Sequence, residues 1–170
     1  MIIRAATILD AAQIASVHIL SWQTIYKDHI PKNVLNDLSK ERRSAEWHER
    51  LAQDVKVWVI EKEKFILGFV SICPTRDDDS DPNKVMEISA IYLLHEYWGK
   101  GLGKQLCEIV FDYTLQNKFK EVTLWVLEKN IQARHFYESL GFHLTGNTKT
   151  DHIGCEKLSV IRYRKILSSS

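Results

Sequence analysis

The sequence predicts a mixed α/β fold, and three features carry that prediction. Short apolar runs of strand character alternate with longer stretches whose apolar residues recur at helical spacing. One run, Val85 to Leu94, is followed by Trp98-Gly99-Lys100-Gly101-Leu102-Gly103-Lys104 and then by an amphipathic stretch, Leu102 to Tyr113. Another run, Val122 to Leu127, is apolar almost throughout, as expected of a strand covered on both faces. Neither repeats nor a linker are visible, so one domain is expected over residues 1–167, with 168–170 as a frayed serine tail.

The elements follow in order. Ile2 to Arg4 reads as a first strand. Thr7 and Asp10 have the spacing of a capping box and announce a helix carrying Ala11, Ala15, Ile19, Trp22 and Tyr26 on one side. Pro31 is expected to end or interrupt that helix. Ser39 can cap another helix, containing Trp47 and Leu51. Val55 to Ile60 and Phe65 to Cys73 read as a hairpin around residues 61–64. Asp77 to Pro82 is the clearest loop. After the glycine-rich segment, Leu102, Leu106, Ile109 and Tyr113 are expected on one helix face. Asn130 caps a further helix with Ala133, Phe136, Tyr137 and Leu140 inward, and Gly141 closes it. Phe142 to Thr145 and Leu158 to Tyr163 read as the last two strands.

Composition excludes several classes of function. A chain of 170 residues is long enough to bury a substantial core. Its net charge of +1 points to no nucleic acid or other polyelectrolyte partner. No apolar run approaches the roughly 20 residues of a membrane span. Arg4 and the polar stretch after it do not read as a signal peptide. Cys73, Cys107 and Cys155 are widely spaced and odd in number, so reduced thiols in a cytoplasmic protein are expected, with no metal and no disulfide framework. A monomer or a homodimer is expected.

The glycine-rich segment is the most specific feature. A strand, a glycine turn and a helix start are the parts of an anion cradle, because glycine lets the backbone approach a ligand and the first helical N–H groups point at it. A phosphate-bearing ligand is therefore expected. Two nucleotide motifs fail the spacing. A Walker A loop ending at Gly103-Lys104 would need glycine where Trp98 stands and Ser or Thr where Gln105 stands. A dinucleotide fingerprint starting at Gly99 would need its third glycine at Lys104.

A third pattern fits. Glu87 to Leu93 followed by residues 96–104 resembles the acetyl-CoA-binding motif of the GNAT (general N-acetyltransferase) superfamily, whose loop reads Gln/Arg-x-x-Gly-x-Gly/Ala. Gly101 and Gly103 match the small positions, whereas Trp98 stands where Gln or Arg is usual and His95 where Pro is common. A second block, Asn130, Ala133, Phe136, Tyr137, Gly141 and Phe142, is similar to the family pattern N-x-x-A-x-x-F-Y-x-x-x-G-F at every named position. The resemblance is strong from Glu87 to Phe142 and weaker from Ile2 to Cys73.

The resemblance implies a six- to seven-stranded, mostly antiparallel sheet flanked by helices on both faces, with central parallel strands splayed around acetyl-CoA. It implies acetyl-CoA as the acetyl donor, and transfer to a primary amine of a small molecule or peptide by direct attack in a ternary complex. A protein N-terminus or lysine is an alternative acceptor, and a non-catalytic acyl-CoA-binding module on the same fold is an alternative function. The backbone of Ile91, Tyr92 and Leu93 is implied to pair with the pantetheine amides. Residues Gly99, Lys100, Gly101, Leu102, Gly103 and Lys104 are implied to hold the pyrophosphate.

The chemistry has its own demands. An amine of pKa about 10.4 is neutral only about once in a few thousand at pH 7, so it must lose a proton. The departing thiolate needs a proton donor. Tyr137 is the candidate general acid, since a phenol stays protonated at neutral pH; a core aromatic is the alternative. Glu87 is the candidate base, directly or through water. A carboxylate on a dry sheet face is costly, so its side is expected to open on a cleft; a structural ion pair is the alternative. Asn130 caps its helix and is a candidate contact for the pantetheine arm. Trp22 and Tyr26, one turn apart, are candidates to line the acceptor site or to pack in the core. His18, His29, His48, His135, His143 and His152 carry no motif and are expected to be exposed or structural, while His95 precedes the loop. The acidic loop from Asp77 to Asp81, and a local resemblance of Leu124 to Asn130 to bacterial polyamine acetyltransferases, make a polyamine one candidate acceptor.

Overall fold

Seven strands form one mixed sheet in the order β1-β2-β3-β4-β5-β7-β6. They are β1 (Ile2–Ala5), β2 (Lys56–Lys62), β3 (Phe65–Pro74), β4 (Val85–Leu93), β5 (Glu121–Leu127), β6 (His143–Ile153) and β7 (Glu156–Ile166). The helices are α1 (Ala11–Ile25), α2 (Lys32–Asn36), α3 (Lys40–Ala52), α4 (Leu102–Gln116) and α5 (Ile131–Ser139). This computed structural model describes residues 1–53, 55–153 and 155–168, so the expected serine tail lies outside the described residues except for Ser168. The described residues form two compact units, one of Met1–Ile72 with Ala90–Cys107 and one of Cys73–Ser89 with the chain from Glu108 onward.

In the first unit, β1 pairs antiparallel with β2 and β2 with β3. The β2–β3 turn is tighter than the four residues expected. Glu63 and Lys64 alone make it, both with positive φ (51° and 71°), which matches the twist of a two-residue hairpin. The α1 start is anchored by charge. Asp10 accepts the Thr7 N–H at 2.7 Å and takes both ends of the Arg4 guanidinium, at 2.8 and 2.9 Å, which holds its carboxyl below the usual range. A 3-10 turn, Ile8–Asp10, precedes the helix. Ala11, Ile14, Ala15 and Val17 of α1 then pack with Trp47 of α3 and with Val57, Val59, Ile66 and Phe69 of the hairpin. Val57 and Val59 are two apart and so share a sheet face. Trp47 is the largest fully buried side chain, and truncating such a residue costs roughly 3–5 kcal/mol.

Pro31 does not end α1, which stops at Ile25; it stands at the N-cap of α2 instead, where its fixed φ suits a helix start. Ser39 caps α3 as expected, accepting the Arg42 N–H at 3.1 Å.

In the second unit, β4 and β5 pair in parallel from Val85↔Glu121 to Ile88↔Leu124, the first four of β4's nine residues. β5 is antiparallel to β7, and β7 to β6. The last two strands are longer than expected. They extend the hairpin through a register shift between Leu144 and Thr148, where Gly146 has φ +87°. α4 is rotated from expectation: Leu102, Leu106, Val110 and Thr114 are buried, whereas Ile109 and Tyr113 are half-buried. The continuing four-residue step keeps one inner stripe where the sequence also offers a neighbouring apolar one. α5 starts at Asn130, whose Oδ1 accepts the Ala133 N–H at 3.2 Å, and ends at Gly141, φ +88°. The Gly141 and Phe142 N–H groups then bond back to Glu138 and Tyr137 carbonyls.

Candidate functional site

The cradle belongs to the first unit. Ile91, Tyr92 and Leu93 end β4, a short 3-10 turn follows (His95–Tyr97), and α4 begins at Leu102. Gly99 and Gly101 have φ of +73° and +80°, a region that side chains with a Cβ rarely adopt. A Cβ added at either would meet nothing within 4 Å. Glycine is thus required here for backbone shape, and the turn faces open space. The Gln105 N–H makes its helical bond to Gly101, leaving the N–H groups of Leu102, Gly103 and Lys104 as the start of α4. Lys100 is exposed with its ammonium over the Tyr97 ring at 5.1 Å, and Lys104 is exposed.

Trp98 has a role that the motif comparison leaves blank. Its indole N–H donates to the Leu93 carbonyl at 2.7 Å, and the His95 ring packs against it. The side chain folds back on the strand end and braces the turn.

Gly68 of β3 is a residue that the sequence reading missed. A Cβ there would lie 2.7 Å from Leu93 Cδ1 and 2.9 Å from the Tyr92 carbonyl oxygen. The end of β4 can come this close only because position 68 has no side chain. A glycine inside an apolar strand run is the available signal.

Beside this strand, Trp22 and Tyr26 lie in an aromatic cluster. Trp22 donates its indole N–H to the Tyr92 hydroxyl at 2.8 Å, and Tyr26 meets Trp22 edge-on. Both are half-buried, and Arg43 lies over Trp22. Buried His18 stacks on Tyr92 and accepts the Trp47 indole N–H at 3.2 Å through Nδ1. Burial, with repulsion from Arg43 and Arg50, pulls the His18 imidazole down to about 3, so it is neutral at pH 7. The structural role expected of His18 is therefore as a neutral support beneath Tyr92. His135, His48, His143 and His152 are exposed, and His29 is half-buried.

The candidate acid and base lie in the second unit. Tyr137 is 8% exposed and packs edge-on against Phe142 and near Tyr163. Glu87 corrects the expectation of an open cleft: it is 2% exposed. Arg76 covers it, with Nε donating to Oε2 at 2.7 Å and Nη2 paired to the same oxygen. The guanidinium supplies the compensation that the sequence argument had assigned to solvent. The Cys73 thiol also reaches Oε2, at 3.9 Å, and burial pushes that thiol up. Thr123 is Glu87's register partner on β5. Asn130 is accounted for as a helix cap.

The acidic loop is less available than its composition implies. Arg162 holds Asp79 through both carboxylate oxygens, at 2.7 and 2.8 Å, and Asp77 at 3.1 Å. Asp77 also accepts the Trp125 indole N–H. Arg162 lowers the Asp79 carboxyl to about 2. Among the described residues no cluster of side chains has the make-up of a metal site, and no helix is long and apolar enough to cross a membrane.

Comparison with known proteins agrees with both motif blocks. The model of the acetyltransferase (GNAT) family matches residues 22–142. The uncharacterised N-acetyltransferase YuaI of Bacillus subtilis is 34% identical over 128 residues, covering 75% of this chain and 72% of that protein. Among solved structures, the PaiA N-acetyltransferase of Thermoplasma acidophilum, in complex with coenzyme A, superimposes with a TM-score of 0.76 at 20% identity over 98% of each chain. YncA of Salmonella typhimurium, with acetyl-CoA, gives 0.73 at 20% identity over 100% of this chain and 95% of its own.

Proposed function

The chain belongs to the acetyltransferase (GNAT) family, and from that premise we propose that this N-acetyltransferase moves the acetyl group of acetyl-CoA to a primary amine of a small molecule or peptide by direct attack in a ternary complex. The observation that carries the donor assignment is the turn between β4 and α4. Two left-handed glycines facing open space, followed by the N-terminus of a 15-residue helix, suit a pyrophosphate. The ligands held by YncA and PaiA support the same choice. When bound, acetyl-CoA supplies an activated acyl thioester.

The chain's own residues would do the rest. Backbone groups of Ile91, Tyr92 and Leu93 would align the pantetheine arm, and Gly99, Lys100, Gly101, Leu102, Gly103 and Lys104 would hold the pyrophosphate. Asn130, besides capping α5, would touch the pantetheine. Glu87 would take the proton of the attacking amine, and Tyr137 would give a proton to the departing sulfur. Trp22 and Tyr26 would line the acceptor side. Burial keeps Cys73 a thiol, a poor nucleophile, which favours direct attack over an acetyl-enzyme.

Calorimetry with acetyl-CoA, coenzyme A and ATP tests the donor, and thiol release with amino acids, polyamines, aminoglycosides and short peptides tests the acceptor. The expected result is binding of the two coenzyme A species, none of ATP, and turnover with an amine. Tight ATP binding without acetyl-CoA binding overturns the donor. Acetyl-CoA binding with silence across the amine panel favours the binding-module alternative.

A further inference from the structure

Two arginines of the second unit meet carboxylates in contrasting ways. Arg162 is enclosed, with 7% of its side chain exposed, and its donors go to Asp77, Asp79, Asn147 and Thr145. Arg76 has 68% of its side chain exposed and directs both Nε and Nη2 at one oxygen of Glu87. Its Nη1 has no hydrogen-bond acceptor among the described residues. A guanidinium carries five donors in a planar fork, so the outward edge of Arg76 is a ready bidentate seat for a second carboxylate. Asp77 and Asp79, its neighbours in the loop, are held by Arg162 and leave that edge uncovered.

Glu87 is half-engaged too. All its hydrogen bonds among the described residues involve Oε2, leaving Oε1 without a donor. Thr123, its register partner on the adjacent parallel strand, projects on the same sheet face, and its Oγ1 is buried without a hydrogen-bond partner among the described residues. An orphaned buried oxygen such as Thr123 Oγ1 is costly in a finished core, and beside the undonated Glu87 Oε1 it fits a site that a donor-rich group completes. An ammonium or amine is such a group.

We propose that Arg76 is the acceptor-recognition residue, and that the acceptor is an amine carrying a carboxylate close to its amino group, as in an amino acid. The acceptor's carboxylate takes the outer edge of Arg76 and draws the guanidinium from Glu87. Glu87 Oε1 then receives the amine proton as the nitrogen–acetyl bond forms and the carbon–sulfur bond breaks. A polyamine is disfavoured, because it offers Arg76 only positive charge. This inference rests on the acetyltransferase reading and on Glu87 as the base.

The test compares alanine, aspartate and lysine with their methyl esters and with putrescine. The expected result is a preference for the free carboxylate of about tenfold or more in kcat/KM, the range of a charge-assisted hydrogen bond. Arg76→Gln, which also alters Glu87 for every substrate, erases the acid-to-ester ratio of kcat/KM, and Arg76→Lys restores part of that ratio. Preference for the esters or putrescine, or a preference that survives Arg76→Gln, overturns the proposal. A second readout needs neither turnover nor a variant: the Arg76 Nε–H NMR signal of the wild-type protein, titrated with alanine or its methyl ester in the presence of coenzyme A. A shift with the acid alone supports the proposal; equal response or none overturns it. If no amine is acetylated but the NMR shift occurs, the transferase reading fails while carboxylate recognition stands.

Discussion

From Ile91 to Lys104 the groups proposed to meet the donor belong mainly to the main chain, whereas around Glu87 the groups proposed to act belong to side chains. The turn depends on two positive φ angles and a helix start. The Glu87 surroundings depend on Arg76, Cys73 and Thr123 converging from a loop and two strands. A main-chain site tolerates side-chain changes but not changes of backbone shape. A side-chain site responds in the opposite way, so substitutions can separate the two.

The largest expected effect lies on the chemical side. Tyr137→Phe keeps the ring that packs on Phe142 and removes the proposed acid. We expect kcat to fall by roughly 10²–10⁴-fold, with acetyl-CoA affinity by calorimetry nearly unchanged. Unchanged kcat with a good amine would remove Tyr137 from the mechanism.

Next comes the support beneath Tyr92. His18 has its imidazole lowered from 6.5 to about 3, so the unfolded chain takes up a proton that the folded one refuses. Its stabilising effect is complete above about pH 6.5 and declines as pH falls toward 3, at about 1.4 kcal/mol per pH unit. Urea unfolding at pH 7, 5.5 and 4.5 reads this slope, and His18→Gln should flatten it relative to wild type. An identical slope in the variant would mean that other groups set the acid limb.

Gly68→Ala brings a Cβ against the Tyr92 carbonyl and the Leu93 side chain. It should cost roughly 1–3 kcal/mol by thermal or urea unfolding and weaken acetyl-CoA binding. Normal stability and affinity would show that β4 yields at no cost. The smallest effect belongs to Trp98→Phe, which removes the indole donor to the Leu93 carbonyl. A loss of about 0.5–1.5 kcal/mol, read as a few-fold weaker acetyl-CoA affinity, is expected. Tighter binding would mean that the indole competes for that carbonyl.

The same contrast explains what was legible in the sequence. Gly99, Gly101, Asn130 and Gly141 act through local backbone requirements, so their spacing alone placed the turn, the α5 cap and its end. The seven-stranded sheet agrees with the six or seven strands that the family resemblance implied. The inner face of α4 was misplaced because apolar residues occupy two adjacent stripes, and only tertiary packing chooses Val110 and Thr114 over Ile109 and Tyr113. The cover on Glu87 was not legible, since Arg76 sits 11 positions away in a loop with no periodicity. Nor was the Arg162 clamp, whose Asp79 partner is 83 positions distant. Gly68 was visible as a strand glycine, but its purpose appears only when Tyr92 is placed against it.

The register shift in the β6–β7 hairpin bears on colloidal behaviour. β6 is an edge strand of eleven residues, exposed over nearly all its length, and an uninterrupted edge of that size invites other chains to add to the sheet. Gly146, at φ +87°, breaks the ladder between Leu144 and Thr148, and Lys149 and Asp151 place charge on the part that follows. The irregularity therefore works as a guard against self-association through that edge.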